Sequence, residues 1–308
     1  MSPTTADTPP SASPSACDVI VVSYNQRERL LAGLASAQAA GPNLRLIVID
    51  NASADGSVAA VRKAFPGADV VALDENVGFA AAVNRGVRLG TAPHILLLNN
   101  DARLTPEALE TLTRALGDAG AVAAGPRLLG AGGAVELSLD RTLSPWNEAR
   151  FKVLEFFYRS GRGPATGRVQ RQMARSREVR SLSGACILLD RGAFEGVGGF
   201  DERFFLYAED VDLCLRLRRQ GGKLLYVAGA VVEHNRGASS ATNRGATALH
   251  YRRSQLAFYR KHRGVLANLG LRFYLAVRFA IQSSFGRDRE QRELAGKLLR
   301  LTVRESGR

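Results

Sequence analysis

The sequence predicts an α/β protein built on a parallel, doubly wound sheet. From residue 18 onward, short apolar runs alternate with longer segments in which apolar residues recur at helical spacing. Polar residues follow each of the first four apolar runs. Apolar types make up 45% of the 308 residues, which is enough for a sizeable core. In such sheets, ligands bind beyond the carboxyl ends of the strands.

The first half of the chain contains four predicted strands and three predicted helices between them. Each strand is five or six residues of mainly Val, Ile and Leu, and each helix is longer and amphipathic. The strands are predicted at residues 18–23, 44–49, 68–73 and 94–98, and the helices at residues 26–40, 57–65 and 79–89.

The second half has a less regular pattern. A helix is predicted at about residues 106–116, a strand near 121–124, and an irregular basic region at 141–180. Regular structure then resumes at residues 181–189. A further helix at 209–220 begins with acidic residues, which the helix dipole favours in a first turn, and a last strand is predicted at 224–232.

The positive charge is concentrated in two segments. The formal net charge is +13, but residues 141–180 carry ten Lys/Arg against three Glu, and residues 251–308 carry fourteen against four acids. The remainder is therefore slightly acidic. Basic patches of this kind favour polyanions: nucleic acid, an anionic membrane surface or a phosphorylated substrate. Neither segment contains a nucleic-acid-binding motif, so a nucleic-acid partner is the least favoured of the three.

Cysteine usage and hydropathy exclude several classes of protein. Cys17, Cys186 and Cys214 form no CxxC pair and have no histidine at metal-ligand spacing, which argues against a disulfide framework and a structural zinc site. The first residues lack a basic start and an apolar stretch, so a disordered tail at 1–17 is expected instead of a signal peptide. No run of eighteen apolar residues occurs. A cytoplasmic protein is therefore predicted.

The end of the first strand carries Ser23, Tyr24 and Asn25 without any glycine-rich turn. A dinucleotide-binding fingerprint or a P-loop needs such a turn, so both are excluded. These three residues are equally consistent with a simple helix cap. Asp50 directly ends the second strand, where its carboxylate can accept a hydrogen bond from the imide nitrogen of uracil or thymine, although turn formation is the alternative.

The fourth strand ends in Asn99, Asn100 and Asp101. Oxygen ligands from Asn and Asp suit a hard divalent ion that bridges two phosphates, although a lone Asp at this position is as consistent with a helix cap. Farther along, Glu209 and Asp210 follow an aromatic stretch that would raise a carboxylate pKa toward the range of a general base. Helix capping is the alternative for this pair, and a structural role is the alternative for His234 at the end of the last strand.

The joint order of these motifs decides between the alternatives. VVSYN, DNASADGS, NVGFAAAVN, LLLNND, FDERFFLYAEDVDL and EHNRGAS occur in this order over residues 18–240. The series resembles the family 2 glycosyltransferases, and is most similar to their bacterial rhamnosyltransferase-type members. The resemblance implies a GT-A fold with a nucleotide-sugar-binding half at 18–125, an acceptor-binding and catalytic half at 126–245, and a basic helical region at 246–308.

The resemblance also implies roles for individual residues. Asp210 matches the family's catalytic base, with Glu209 beside it, and His234 matches a late histidine that can complete a metal site with Asp101 and Asn99. Asn99 departs from the family's Asp-x-Asp motif. The donor is expected to contact Ser23, Tyr24, Asn25, Asp50, Asn76, Gly78, Asn84, Asn99, Asn100 and Asp101, and the acceptor to contact Gly184, Ala185, Phe205 and Tyr207, with Gly184 allowing close approach.

The implied reaction is a single displacement with inversion at the anomeric carbon, assisted by Mg²⁺ or Mn²⁺. A dTDP-rhamnose donor is favoured, with uridine-linked hexoses and guanosine-linked mannose next. The acceptor is expected to be a glycan or a polyprenyl-diphosphate-linked sugar in cell-envelope polysaccharide synthesis. That acceptor would place the enzyme at the inner face of the cytoplasmic membrane. The stretch 265–281 is consistent with an interfacial helix, and equally with a solvated or homodimer-forming one.

Two other functions remain as alternatives. A nucleotidyltransferase shares a related fold, but the glycine-rich, basic loop expected after its first strand is missing. A catalytically inactive scaffold that binds nucleotide sugar or membrane would explain Asn99 as a lost ligand. The presence of Glu209, Asp210 and His234 argues against this second alternative.

Overall fold

The structure, a computed structural model, describes residues 16–41, 43–140, 143–159, 164–234 and 244–304. Its first half is the predicted parallel sheet, whose strands pair in the order β3-β2-β1-β4 with every pair parallel. The strands are β1 (Cys17–Ser23), β2 (Leu44–Asp50), β3 (Asp69–Ala72) and β4 (His94–Leu98), and the helices between them are α1 (Arg27–Ala39), α2 (Ser57–Ala64) and α3 (Phe79–Val87).

The same sheet continues into the second half of the chain. Beyond β4 the order is β8-β6-β9-β5, with β7 on the same edge of β9 as β5, and β6 and β9 are the parallel pair among them. The elements are β5 (Ala102–Leu104), α4 (Pro106–Asp118), β6 (Ala123–Leu129), a 3-10 turn (Ala131–Gly133), α5 (Pro145–Arg159), α6 (Pro164–Met173), β7 (Arg177–Glu178), β8 (Cys186–Asp190), α7 (Arg191–Gly196), α8 (Glu209–Arg219) and β9 (Leu224–His234).

Several expected boundaries differ from the observed ones. β1 begins at Cys17, inside the expected tail, and residues 1–15 lie outside the described part of the chain. The region 141–180, expected to be irregular, contains α5 and α6 in its described part, because Leu154, Tyr158, Val169 and Met173 pack against the core. The boundary expected between residues 125 and 126 falls within β6, and both halves contribute strands to one sheet.

Three helices complete the described chain: α9 (Arg244–His262), α10 (Val265–Phe285) and α11 (Arg289–Arg304). They confirm the expected C-terminal helices. They bury a cluster of their own, which includes Leu256, Leu275 and Leu298 and which also takes in Phe204 and Ala208 from the loop before α8. None of the helices within the described ranges combines the length and the apolarity needed to cross a membrane.

The core consists of two apolar layers, one on each face of the sheet. Because side chains alternate along a strand, Val19 and Val21 face one layer while Ile20 faces the other. Helices α1 and α4 cover the first face, and α3, α7 and α8 the second. The three cysteines are buried and free, which confirms that they form no disulfide framework. Burial raises the pKa of each thiol to about 12.

Candidate active site

The carboxyl ends of β1 and β2 are tied together by hydrogen bonds. The Asn25 N–H donates to Ser53 Oγ at 2.7 Å, and Asn25 Oδ1 accepts from the Ala54 N–H at 3.0 Å. The Ser23 hydroxyl donates to the Asn25 carbonyl at 3.4 Å. These contacts hold the loop after β1 against the loop after β2, so Ser23 and Asn25 define the shape of this corner. Tyr24, next to them, is 51% exposed.

Asp50 is buried at this corner with one carboxylate oxygen unused. Its Oδ1 accepts the Ser53 N–H at 2.8 Å, whereas Oδ2 has no hydrogen-bond partner among the described residues. The residue is only 2% exposed. A buried, unpartnered carboxylate oxygen is costly, and its presence indicates a ligand that donates to it. Asp50 Oδ2 is therefore available to accept a hydrogen bond from a ligand at this corner.

The loop after β3 is attached to the same corner through Asn51. The Asn51 amide donates to the Gly78 carbonyl at 3.2 Å and accepts from the Val77 N–H at 3.3 Å. Asn76 Oδ1 accepts the Gly78 N–H at 3.0 Å. The Asn51 amide thus joins the end of β2 to the loop after β3, a link that local sequence does not reveal.

Gly78 allows its own backbone to pack closely against the backbone of Phe205. It has φ +87°, and a Cβ built there would lie 2.5 Å from the Phe205 carbonyl oxygen. The Phe79 N–H donates to that carbonyl at 2.7 Å. At Gly184, by contrast, a built Cβ would meet the Asp210 Cβ at 3.6 Å, which is an ordinary contact. Within the protein, backbone packing thus requires a glycine at Gly78, where the loop after β3 meets the Phe205 loop, whereas approach of an acceptor at Gly184 stays a prediction.

Asn84 lies on α3 with its side chain directed at the Phe200 loop. Its amide donates to the Phe200 carbonyl at 2.8 Å and to Glu202 Oε1 at 3.0 Å, and its oxygen accepts the Phe200 N–H at 2.9 Å. Both amide hydrogens are therefore engaged within the protein. Asn84 therefore holds the Phe200 loop in position, and its contact with the donor stays a prediction.

A second polar corner forms where β4 ends. His234 closes β9 opposite Ala102, so its ring lies next to Asp101: Nε2 is 3.2 Å from Asp101 Oδ1 and 3.4 Å from the Asn99 amide. The backbone carbonyl of Asn100 packs against α1 at Gly33. The structure thus brings Asn99, Asp101 and His234 together, although 135 residues separate the first and the last.

Glu136 completes this corner and was not anticipated from the sequence. Its carboxylate lies 2.7 Å from His234 Nδ1, and its side chain is 8% exposed. Burial alone would lower the pKa of His234, but hydrogen bonds to Asp101 and Glu136 outweigh it and raise the pKa to about 9. Arg29 on α1 adds a second cation 4.0 Å from Asp101 Oδ2.

The donor set of this corner fits a hard divalent ion that also binds ligand oxygens. Asp101, Asn99 and His234 offer a carboxylate, an amide and an imidazole, and ligands bound at right angles at about 2.1 Å lie roughly 3 Å apart. Within the described ranges, no group of three or more His, Cys, Asp or Glu side chains has metal-site geometry. Glu136 contacts Nδ1 of His234, whereas Asp101 contacts Nε2. Diphosphate oxygens would have to complete the coordination.

Two adjacent carboxyl groups begin α8. Tyr207 and Ala208 have φ of 70° and 71°, and this strained turn ends the incoming loop and starts the helix at Glu209. Glu209 is 7% exposed and its Oε2 has no partner among the described residues. Burial, and then the neighbouring charge of Asp210, raise the pKa of Glu209 well above its ordinary value. Asp210 is half-buried.

Asp210 is connected to the polar corner at the end of β4 through two consecutive residues. Its Oδ2 accepts the Gly184 N–H at 3.2 Å, and its Oδ1 accepts the Val211 N–H at 2.8 Å. The Ala185 carbonyl accepts the Asn99 N–H at 2.9 Å. Gly184 and Ala185 therefore link the carboxylate at the start of α8 to the polar turn after β4. The two corners are therefore joined through adjacent residues.

Helix α9 holds the loop that precedes Asp210. The Phe205 ring stacks on His250 with centroids 4.5 Å apart, and the Tyr207 ring meets Tyr251 edge to face at 5.9 Å. The Ser254 hydroxyl donates to the Leu206 carbonyl at 2.8 Å. Phe205 and Tyr207 thus lie beside the carboxyl pair, where an acceptor was expected. The sequence carried no motif for their partners on α9.

Comparison with known proteins identifies the family. The model of glycosyl transferase family 2 matches residues 18–198, more than half of the chain. The chain belongs to this family. An N-acetylglucosaminyl-diphospho-decaprenol L-rhamnosyltransferase of Mycobacterium tuberculosis is 30% identical to this glycosyltransferase over 86% of the chain and 94% of that protein. The rhamnosyltransferase WbbL of Escherichia coli is 47% identical over 45 residues, 15% of the chain and 17% of that protein.

Solved structures show the fold of this glycosyltransferase. A mannosyltransferase from Pyrobaculum calidifontis, in complex with GDP-Man and Mn²⁺, superposes with a TM-score of 0.53 at 16% identity, over 96% of the chain and 90% of that protein. The GT-A fold predicted from the order of the motifs is confirmed, as is the rhamnosyltransferase-like family. The roles assigned to individual residues stay predictions.

Proposed function

We propose that this enzyme transfers rhamnose from dTDP-rhamnose to a sugar on a polyprenyl diphosphate, with N-acetylglucosamine as the acceptor sugar. The named reaction of the Mycobacterium tuberculosis relative supports this substrate pair, because the similarity extends over nearly the full length of both chains. The product would feed cell-envelope polysaccharide synthesis. A lipid-linked acceptor would place the enzyme at the inner face of the cytoplasmic membrane.

The reaction type rests on one geometric observation: Gly184 and Ala185 hold Asp210 and Asn99 at neighbouring positions. A base beside the diphosphate corner is what a single displacement requires, since the acceptor oxygen must lose its proton as it attacks the anomeric carbon. Asp210 accepts that proton. Attack from the face opposite to the leaving diphosphate inverts the configuration at that carbon, and no covalent intermediate forms.

The donor lies along the ends of β1 to β4 in this proposal. Asp50 accepts the imide N–H of thymine through its unused Oδ2. Asp101, Asn99 and His234 hold Mg²⁺ or Mn²⁺, and the bound ion neutralises charge on the diphosphate leaving group. Arg29, at 4.0 Å from Asp101, adds positive charge on the same side. Phe205 and Tyr207 border the acceptor.

A catalytically inactive scaffold that binds nucleotide sugar is the second candidate. Asn99 in place of a carboxylate favours it, and so does the absence of a three-member His, Cys, Asp or Glu metal cluster from the described part of the chain. Against it stands Asp210, which points its carboxylate at Gly184 and has no cation beside it among the contacts described. A structural carboxylate at this position would be expected to pair.

A binding screen followed by a transfer assay separates the two candidates. Calorimetry with thymidine, uridine and guanosine diphosphates, each with Mn²⁺, identifies the nucleotide, and thymidine diphosphate is expected to bind tightest. The transfer assay combines dTDP-rhamnose with a synthetic prenyl-diphosphate N-acetylglucosamine. A rhamnosylated product of inverted anomeric configuration supports the enzyme. Tight nucleotide binding with neither transfer nor donor hydrolysis supports the scaffold.

A further inference from the structure

Helix α10 presents an uncharged outer face along its full length. It packs onto the protein through Leu271, Leu275 and Phe279. The opposite side is exposed, and none of its exposed residues carries a charge. Its large apolar side chains recur about every four residues, which places them on one face: Val265, Leu266, Leu269, Phe273, Tyr274, Val277, Ile281 and Phe285, with Leu266, Phe273 and Phe285 at 85%, 73% and 84% exposed.

Over residues 263–287, the charged residues beside this face are all basic. The segment 263–287 contains four arginines and no acidic residue. Arg263 and Arg287 are exposed at the two ends of α10. Arg272 and Arg278 lie half-buried at its sides, and the Arg272 guanidinium donates to the Thr302 carbonyl on α11 at 2.6 Å. The result is an apolar strip about 30 Å long with a cationic border.

A second helix with an exposed apolar face is anchored at the same residue as α10. The Arg252 guanidinium on α9 pairs with Glu148 of α5 at 3.1 Å and lies 6.0 Å from the Phe279 ring of α10. On α5, Trp146 and Phe156 are 78% and 68% exposed, and Arg150 and Lys152 are exposed among them. Arg252 therefore contacts two helices that each expose large apolar side chains, and on α5 these are accompanied by exposed basic residues.

We propose that the outer face of α10 lies flat in the interface of an anionic lipid bilayer, with α5 as a second point of contact. An exposed apolar face of this length is costly in water. Burial of an apolar helix face at the acyl boundary, together with arginines toward anionic headgroups, is the arrangement of a monotopic helix. Trp, Tyr and Phe side chains suit the same depth. A border in which every charge is positive matches anionic headgroups and favours a lipid surface over a protein partner.

The placement of α9 gives this surface a use that rests on the proposed function. His250 and Ser254 hold the loop 205–207 next to Asp210, and Arg252 on the same helix holds α10 and α5. Docking through α10 would therefore fix the acceptor side of the cleft relative to the bilayer that contains a lipid-linked acceptor. The apolar surface itself does not depend on which sugar is transferred.

Vesicle cosedimentation of the full chain, without donor or acceptor, tests the surface separately from the reaction. We expect binding to equimolar phosphatidylcholine and phosphatidylglycerol at least about tenfold tighter than to phosphatidylcholine alone. L266D/F273D should weaken the binding to the anionic vesicles about tenfold or more. R263Q/R287Q should weaken binding to anionic vesicles only. L89D, which changes an exposed leucine at the end of α3, is the matched control and should bind like the parent.

Light scattering, thermal melting and nucleotide binding accompany each variant. Anionic-vesicle binding that survives L266D/F273D unchanged in a folded variant would overturn the proposal. A different result is that the parent chain does not bind vesicles and is a dimer that L266D/F273D converts to monomer. This result would assign the face to a second copy of this chain instead. If the parent chain binds anionic vesicles but transfers no sugar to the lipid acceptor, the proposed function is contradicted and the surface proposal is not.

Discussion

Two corners of the site, one at the end of β4 and one at the start of α8, each contain two carboxyl groups, but in opposite electrostatic settings. At the end of β4, the Asp101 and Glu136 carboxylates flank the His234 ring, whose pKa these contacts raise to about 9, and Arg29 lies close by. At the start of α8, Glu209 and Asp210 are adjacent to each other, and burial raises the pKa of Glu209.

The difference indicates a division of labour. A corner whose carboxylates keep their negative charge suits a divalent ion, and binding of that ion would displace the proton from His234 Nε2. A corner where one carboxyl group has a buried oxygen without a partner among the described residues, and the other accepts backbone N–H groups, suits proton transfer. The predictions below change one corner at a time and ask whether the division holds.

The largest effect is expected at Asp210. D210N removes the proposed proton acceptor while the amide keeps the size of the side chain, so transfer should fall about a thousandfold. Binding of the donor nucleotide, measured by calorimetry, should be unchanged because Asp210 lies on the acceptor side. Turnover at the parental rate would exclude Asp210 as the base.

Glu209 provides the matched comparison within the same corner. Because burial raises the pKa of its carboxyl group, E209Q, a neutral amide of the same shape, is a mild substitution at this position. Transfer by E209Q should fall less than about tenfold. Equal losses in E209Q and D210N would show that the pair acts as a unit and would contradict separate roles.

Removal of divalent ions should disable the corner at the end of β4 and leave the corner at the start of α8 intact. In excess chelator, transfer is expected to drop about a hundredfold or more, since charge on the leaving diphosphate is no longer neutralised. Mn²⁺ added back should restore the rate in the parent, but only weakly in D101N. Full activity in chelator, measured on metal-stripped enzyme, would refute an ion at Asp101.

A substitution of Asp50 tests recognition of the base independently of the corners at the end of β4 and at the start of α8. D50A removes a charged acceptor, which is worth about 1.5–3 kcal/mol, so thymidine diphosphate should bind roughly ten- to a hundredfold more weakly in calorimetry. Cytidine diphosphate lacks the imide N–H and serves as the control, because its affinity should barely change. An equal loss for both nucleotides would indicate that Asp50 only shapes the loop.

The smallest effect is expected at Glu136. E136Q leaves a hydrogen-bond acceptor for His234 Nδ1 but removes the charge that stabilises the ring. The Mn²⁺ concentration for half-maximal activity should rise about tenfold, as for other partners of metal-bound histidines. The acceptor KM should stay constant. A raised acceptor KM with normal metal dependence would move Glu136 out of this corner.

The sequence by itself determined the parallel half of the fold and the edge at which the site lies. Parallel strands all end at one edge, so Asp50 and Asp101 had to converge once β2 and β4 were recognised from their apolar runs. The local pattern also placed Asp210 in the first turn of α8. The same reasoning failed for residues 141–180, where the apolar faces of α5 and α6 are short and diluted by arginines.

Only the tertiary structure decided which distant groups share an environment. Glu136 lies in a loop without a motif, and it meets His234 because β6 and β9 pair in parallel over seven residues. Arg252 joins α5 to α10 across about a hundred residues of chain. Pairings of this kind depend on how elements pack, and no periodicity or local propensity encodes them. Strand ends follow from local sequence, whereas the partners of each charge follow from packing.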